Sequence, residues 1–182
     1  MKGIILSEFV EFLEVTLGDD RAQKIIDASG VISLGAYSRV GLYDYHELIQ
    51  LLTQAVAETD TEADVLLEGF SDHLFTMFKR DYSVFFEDVS SAAEMLMQID
   101  NHIHVEVQKL YPGAESPRFE YSRAGNQMTL NYRSPRPLAA VARALLGACL
   151  KFFGDKERLI SSSSSSDQKS ASFVIQTLPQ DS

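Results

Sequence analysis

Two short stretches carry side chains whose types and spacing could do chemistry. In QIDNHIHVEVQKL, residues 98 to 110, His102 and His104 stand two apart. An imidazole can ligate a transition metal, act as a general base, or sit hydrogen-bonded beside an apolar core, which is its commoner fate. In YRSPR, residues 132 to 136, an extended backbone would turn Tyr132, Ser134 and Arg136 to one side and Arg133 and Pro135 to the other. Two hydroxyls and a guanidinium on one face suit a carboxylate, because the planar fork of arginine matches both oxygens and charge-assisted bonds are about twice as strong as neutral ones. A strand end whose arginine pairs with a protein Asp or Glu would read the same way.

The elements that position these residues follow from hydrophobic periodicity. From residue 2 to about 111 the spacing predicts helices: Phe9, Phe12, Leu13 and Leu17 in the first, and Leu48, Leu51, Leu52, Ala55 and Val56 after a start signal in YDYHE. A third opens at Thr61 ahead of Glu62 and Asp64 and buries Leu66, Phe70, Leu74, Phe75 and Phe78. A fourth starts after Ser90 and Ser91 and runs through Met95, Leu96, Ile99, Ile103, Val107 and Leu110 until Pro112 stops it. It carries both histidines about equally far from its apolar stripe, so periodicity does not choose between them. Beyond Pro117 the pattern alternates. FEYSRAGNQMTLNYRS predicts two strands about a turn at 124–126, PLAAVARALLGACLKFFGD a helix closed by Gly154, and RLISSSSSS with SASFVIQTL a final hairpin. The serine run Ser161 to Ser166 reads as a solvated strand edge rather than a phosphorylation tract. The expected class is α+β: a helical N-terminal lobe, residues 1–60, packed on a mixed lobe, 61–182, with an antiparallel sheet, together one domain.

Composition narrows the partners. The 182 residues carry a formal charge of −10, which disfavours nucleic acid and anionic membrane. A single cysteine, Cys149, excludes an internal disulfide and a cysteine-rich zinc site and points to a reducing compartment; it reads as a small buried hydrophobe. Glu8, Glu11 and Glu14 interrupt the apolar N-terminal run before a signal core or membrane span could form, so a cytoplasmic location is expected.

MKGII, HIHVEVQKLYPGAESPRFE and YRSPR together resemble the haem-nitric oxide/oxygen binding (H-NOX) family over essentially the whole chain. The resemblance implies haem b between the lobes, His104 as axial ligand of the iron, and Tyr132, Ser134 and Arg136 around the propionates. It implies Pro117 and Ile5 pressing on opposite faces of the ring. Leu74, Phe75, Phe78 and Leu145 would line the cavity, although each taken singly is an ordinary core residue. His46 and His73 match no family role and read as partly exposed helix residues. Val141 stands where members that bind dioxygen stably carry a tyrosine donor, which points to nitric oxide (and carbon monoxide) with little stable dioxygen binding.

The expected function is a haem-based sensor rather than an enzyme. It binds nitric oxide at ferrous haem, releases the proximal histidine and regulates a partner, a histidine kinase or a cyclic-di-GMP synthase or phosphodiesterase. Two other classes compete. A peroxidase or dioxygenase wants a distal acid or base, where Ile5, Phe9, Leu74, Phe78 and Val141 offer none. A cofactor-free helical scaffold leaves Tyr132, Ser134 and Arg136 without a purpose.

Overall fold

The computed structural model describes residues 1–99, 104–110, 115–154 and 156–178. The fold is α+β, and the chain divides into two compact units, Met1–Leu74 and Phe75–Ser182. Among the described residues no helix is long and apolar enough to cross a membrane.

The first unit is helical. It comprises α1 (Gly3–Leu17), α2 (Asp19–Ser29), α3 (His46–Thr59) and the first turns of α4 (Ala63–Asp81). Leu6, Phe9 and Leu13 recur on one side of α1 and are fully buried, as are Ile25, Leu48, Leu51 and Phe70. The Phe9 ring meets Phe70 edge-on at 4.8 Å, an arrangement that the quadrupoles of both rings favour. The start of α1 is tied to the α2–α3 connection: Gly3 N–H donates to Gly41 O, and Ile4 N–H to Arg39 O. Only glycine fits at position 3, since a Cβ there would lie 2.0 Å from Ser38 O. The same connection is held at its other end by buried Glu47, which accepts from Ser33 Oγ at 2.6 Å and Tyr37 Oη at 2.8 Å. Burial and the adjacent Glu47 carboxylate push the Tyr37 phenol well above its usual range.

The second unit is a four-stranded antiparallel sheet under helices. Its strands β1 (Arg118–Ala124), β2 (Gln127–Arg133), β3 (Glu157–Ser164) and β4 (Ser170–Thr177) lie in the order β1-β2-β4-β3. Both expected hairpins form, the first about Gly125 at φ +60°. Alternation chooses the inner face: Met128, Leu130 and Tyr132 on β2 lie opposite Ile175, Phe173 and Ala171 on β4, and all six are buried. Leu130, Phe173 and Ile175 each contribute about 1.5–3 kcal/mol by leaving water. α5 (Ala92–Gln98) and α7 (Ala139–Phe153) cover that face with Ala92, Met95, Leu96, Leu146, Cys149 and Leu150. α5 is capped as its sequence foretells, Ser91 Oγ accepting from Glu94 N–H while the Glu94 carboxylate accepts from Ser90 N–H. The fourth predicted helix is described in two pieces, α5 and α6 (His104–Leu110), because 100–103 lie outside the described residues. β3 takes the serine run along the sheet edge, where Ser161–Ser164 are exposed and the register shifts between Leu159 and Ser161.

Candidate functional site

His104 lies on α6 and is half-buried. Its ring lies 5.9 Å from that of Phe119 on β1, and Phe119 lies 5.5 Å from Tyr132 on β2. The β1/β2 register produces this row, since a turn at Gly125 and Asn126 sets Phe119 opposite Tyr132. His104 shares the wall of a cleft of about 410 Å3 with Pro117, Pro135 and Glu115. That size is in the range of small-ligand sites. His102 lies outside the described residues, so the expectation that separates the two histidines is not examined by geometry.

Tyr132, Ser134 and Arg136 come together, but not as the sequence suggested. β2 ends at Arg133, and the chain turns through Ser134 to Pro137 instead of continuing the alternation. The turn itself makes the cluster: Ser134 Oγ accepts from Arg136 N–H at 3.0 Å. Ser134 also hydrogen-bonds the Tyr132 side chain. Burial raises the Tyr132 phenol above its ordinary value, opposed by that bond and by the Arg136 guanidinium. Arg136 donates through Nη2 to Glu115 Oε2 at 3.0 Å and through Nη1 to Glu115 O at 3.3 Å. The guanidinium is thus mostly covered, 19% exposed, and already engaged with a carboxylate group. Chemically, two hydroxyls and a guanidinium of this kind can hold a carboxylate, as Arg136 holds that of Glu115, beside a cleft that presents an imidazole.

The apolar candidates divide between elements. Val141 and Leu145 stand one turn apart on α7, half-buried, on a different row from the sheet-facing Leu146, Cys149 and Leu150. Phe78 on α4 is half-buried, its ring 6.3 Å from Tyr82. Ile5 and Leu74 belong to the first unit, Ile5 half-buried and Leu74 fully buried. Cys149 is buried, and desolvation pushes its thiol up to about 12.

Two participants escape sequence reading. Phe119 was recoverable from the hairpin register, but Glu115 is an exposed acid with no signal to mark it. A third surprise is His73, which pairs with fully buried Glu8 at 3.0 Å.

Comparison with known proteins gives the context. The family described as Haem-NO-binding matches residues 2–159. The chain belongs to that family. A Haem-NO-binding relative of solved structure, the Fe(II) unliganded H-NOX protein from K. algicida, is 33% identical over 99% of this chain and 98% of its own, with a TM-score of 0.89. The H-NOX from Shewanella woodyi, solved bound to IWP-051 in the Fe(II)CO state, is 29% identical over 98% of this chain and 95% of its own, with a TM-score of 0.81. The S. oneidensis H-NOX, solved in the Fe(II)NO state, shares the fold at 21% identity over 98% of this chain and all of its own, with a TM-score of 0.86. Among curated proteins none matches. H-NOX homologues are haem-based gas sensors, and these solved members are in iron-bearing states.

Proposed function

We propose that this chain is a single-domain haem-based sensor of nitric oxide that acts on a partner signalling protein, with 1–60 as its distal and 61–182 as its proximal lobe. The observation that carries the reading is the anion clasp of Tyr132, Ser134 and Arg136 beside the cleft that presents His104 and Pro117. Those residues supply the imidazole and the polar groups that haem b, a flat ring with two carboxylates, needs. Bound haem supplies an iron that takes diatomic gases.

The chain's own residues do the rest. His104 would ligate the iron, and Tyr132, Ser134 and Arg136 would hold the propionates. Pro117 and Ile5 would bear on the ring, while Leu74, Phe78, Val141 and Leu145 would keep water out. Val141 donates no hydrogen bond, so dioxygen loses the partner that would stabilise it, whereas nitric oxide and carbon monoxide need none. With haem bound, His104 would be the tie between the iron and α6, and a partner that distinguishes α6 with that tie from α6 without it would read the change. That partner is a histidine kinase or a cyclic-di-GMP synthase or phosphodiesterase. The chain is cytoplasmic and not itself an enzyme.

The test is spectroscopic. Protein expressed with ample haem should be coloured, show a five-coordinate ferrous spectrum, and bind nitric oxide and carbon monoxide. In air it should form no stable oxy complex. Colourless protein would sink the haem reading, and a stable oxy spectrum the gas selectivity.

A further inference from the structure

The first unit holds a charged network that none of the roles above uses. Glu8, on α1, is fully buried, and its two carboxylate oxygens are both engaged: Arg39 Nη1 reaches Oε1, and His73 Nε2 lies 3.0 Å from Oε2. Glu11 brings a further carboxylate near, so that Glu8, Glu11 and His73 could each offer a ligand atom within 4.8 Å of the others. Arg39 already brings a positive charge to that cluster, which therefore reads as an ion-pair network rather than a cation site. Burying a carboxylate is costly, and an apolar residue of similar size would join the helices at no such cost. A buried pair of this kind is better suited to fixing a geometry than to adding stability.

The geometry it fixes is specific. Arg39 meets α1 twice: its carbonyl accepts from Ile4 N–H at 3.1 Å, and its guanidinium holds Glu8 one helical turn further on. Ile5 lies between those two ties. The chain just before it has no slack, because Gly3 N–H is bonded to Gly41 O at 3.0 Å and Lys2 bridges to Leu42. His73, next to Leu74 in sequence, ties the same carboxylate to α4.

We infer that Arg39 and Glu8 are positioning residues for Ile5, setting how far its side chain projects from α1. The inference rests on the reading above that Ile5 bears on a haem. If it holds, the network controls ring distortion, one of the levers by which a protein sets a haem's reduction potential.

The experiment uses haem-loaded full-length protein carrying Arg39→Gln or Glu8→Gln, each with and without Ile5→Ala, and reads both the Fe(III)/Fe(II) potential and hydrogen exchange at the amides of Ile4 to Phe9. Both single variants should shift the potential in the same direction as Ile5→Ala, speed exchange at those amides, and add no further shift once Ile5 is alanine. A potential at the wild-type value in Arg39→Gln and Glu8→Gln, with Ile5→Ala shifted, overturns the inference and leaves the sensor reading standing. An unshifted potential in Ile5→Ala overturns it too, while failure of the wild-type protein to take up haem removes the sensor reading itself. Should Glu8→Gln not fold, Arg39→Gln decides, with Arg39→Lys expected to restore most of the wild-type potential.

Discussion

α6 and α7 both carry residues assigned to the site, and their described side chains meet it differently. α7 runs for 15 residues and buries Ala139, Ala144, Leu146, Ala148, Cys149 and Leu150. Of the described side chains of α6, His104 is half-buried while Val105, Gln108 and Lys109 are exposed. The difference teaches that α7 is a fixed wall with a fully buried inner row, whereas the described part of α6 turns an imidazole to a cleft.

The comparison breaks most visibly at His104. His104→Gly should abolish the five-coordinate ferrous spectrum yet scarcely alter the urea midpoint of haem-free protein, and His102→Ala should leave the spectrum nearly unchanged. The reverse result would move the ligand to His102. On the fixed wall, Leu146→Ala should lower unfolding free energy by about 2–5 kcal/mol, the usual cost of a buried Leu→Ala cavity; a loss as small as that of His104→Gly would erase the contrast. Arg136→Ala, in the turn that leads into α7, should weaken haem binding by about 1–3 kcal/mol. Transfer of haem to apomyoglobin at an unchanged rate would exclude that role.

Cys149 sharpens the comparison through pH. Its thiol is up to about 12 in the folded protein against 9.0 ordinarily, because burial disfavours the thiolate, with Glu157 adding to the effect. The folded state therefore keeps a proton that the unfolded chain gives up. Stability from this group is complete below pH 9 and is lost as pH rises toward 12, by about 1.4 kcal/mol per unit. Denaturation midpoints measured from pH 8 to 11 should fall less steeply in Cys149→Ala than in the parent. The smallest effect belongs to the open row of α7: Val141→Tyr adds one hydrogen bond of about 1–2 kcal/mol, raising dioxygen affinity roughly tenfold if the phenol turns inward. Affinity at the parental level, with the phenol shown to face inward, would mean that position 141 does not govern gas choice.

Periodicity made α1, α3, α4, α5, α7 and both hairpins legible, because residues such as Leu48, Leu51 and Ala55, or Met128, Leu130 and Tyr132, need only a local pattern to declare their burial; α2 (Asp19–Ser29), whose buried Ala22, Ile25 and Ile26 sit in a mostly polar run, was not named. The clasp was legible by residue type but not by path. Strand alternation anticipated that Tyr132, Ser134 and Arg136 would converge; the turn beyond Arg133 does the converging, through a side chain that caps its own backbone two residues on. The Arg39–Glu8–His73 network was illegible, because it joins positions 31 and 65 apart in sequence through a carboxylate inside a helix that otherwise reads as amphipathic.

The strand order has a consequence in time. β2 lies between β1 and β4, so one of its edges is filled by a strand that begins only at Ser170, after the whole of α7 and β3. From Arg133 to Thr177 is 177 − 133 = 44 residues, which a ribosome adds in roughly 2–9 s at about 5–20 residues per second. For that interval Leu130 and Met128 have neither Phe173 nor Ile175 opposite them, and β2 presents an unpaired row of backbone donors and acceptors. The nascent chain is most open to mispairing in this window, and a break anywhere in β4 would prolong it indefinitely.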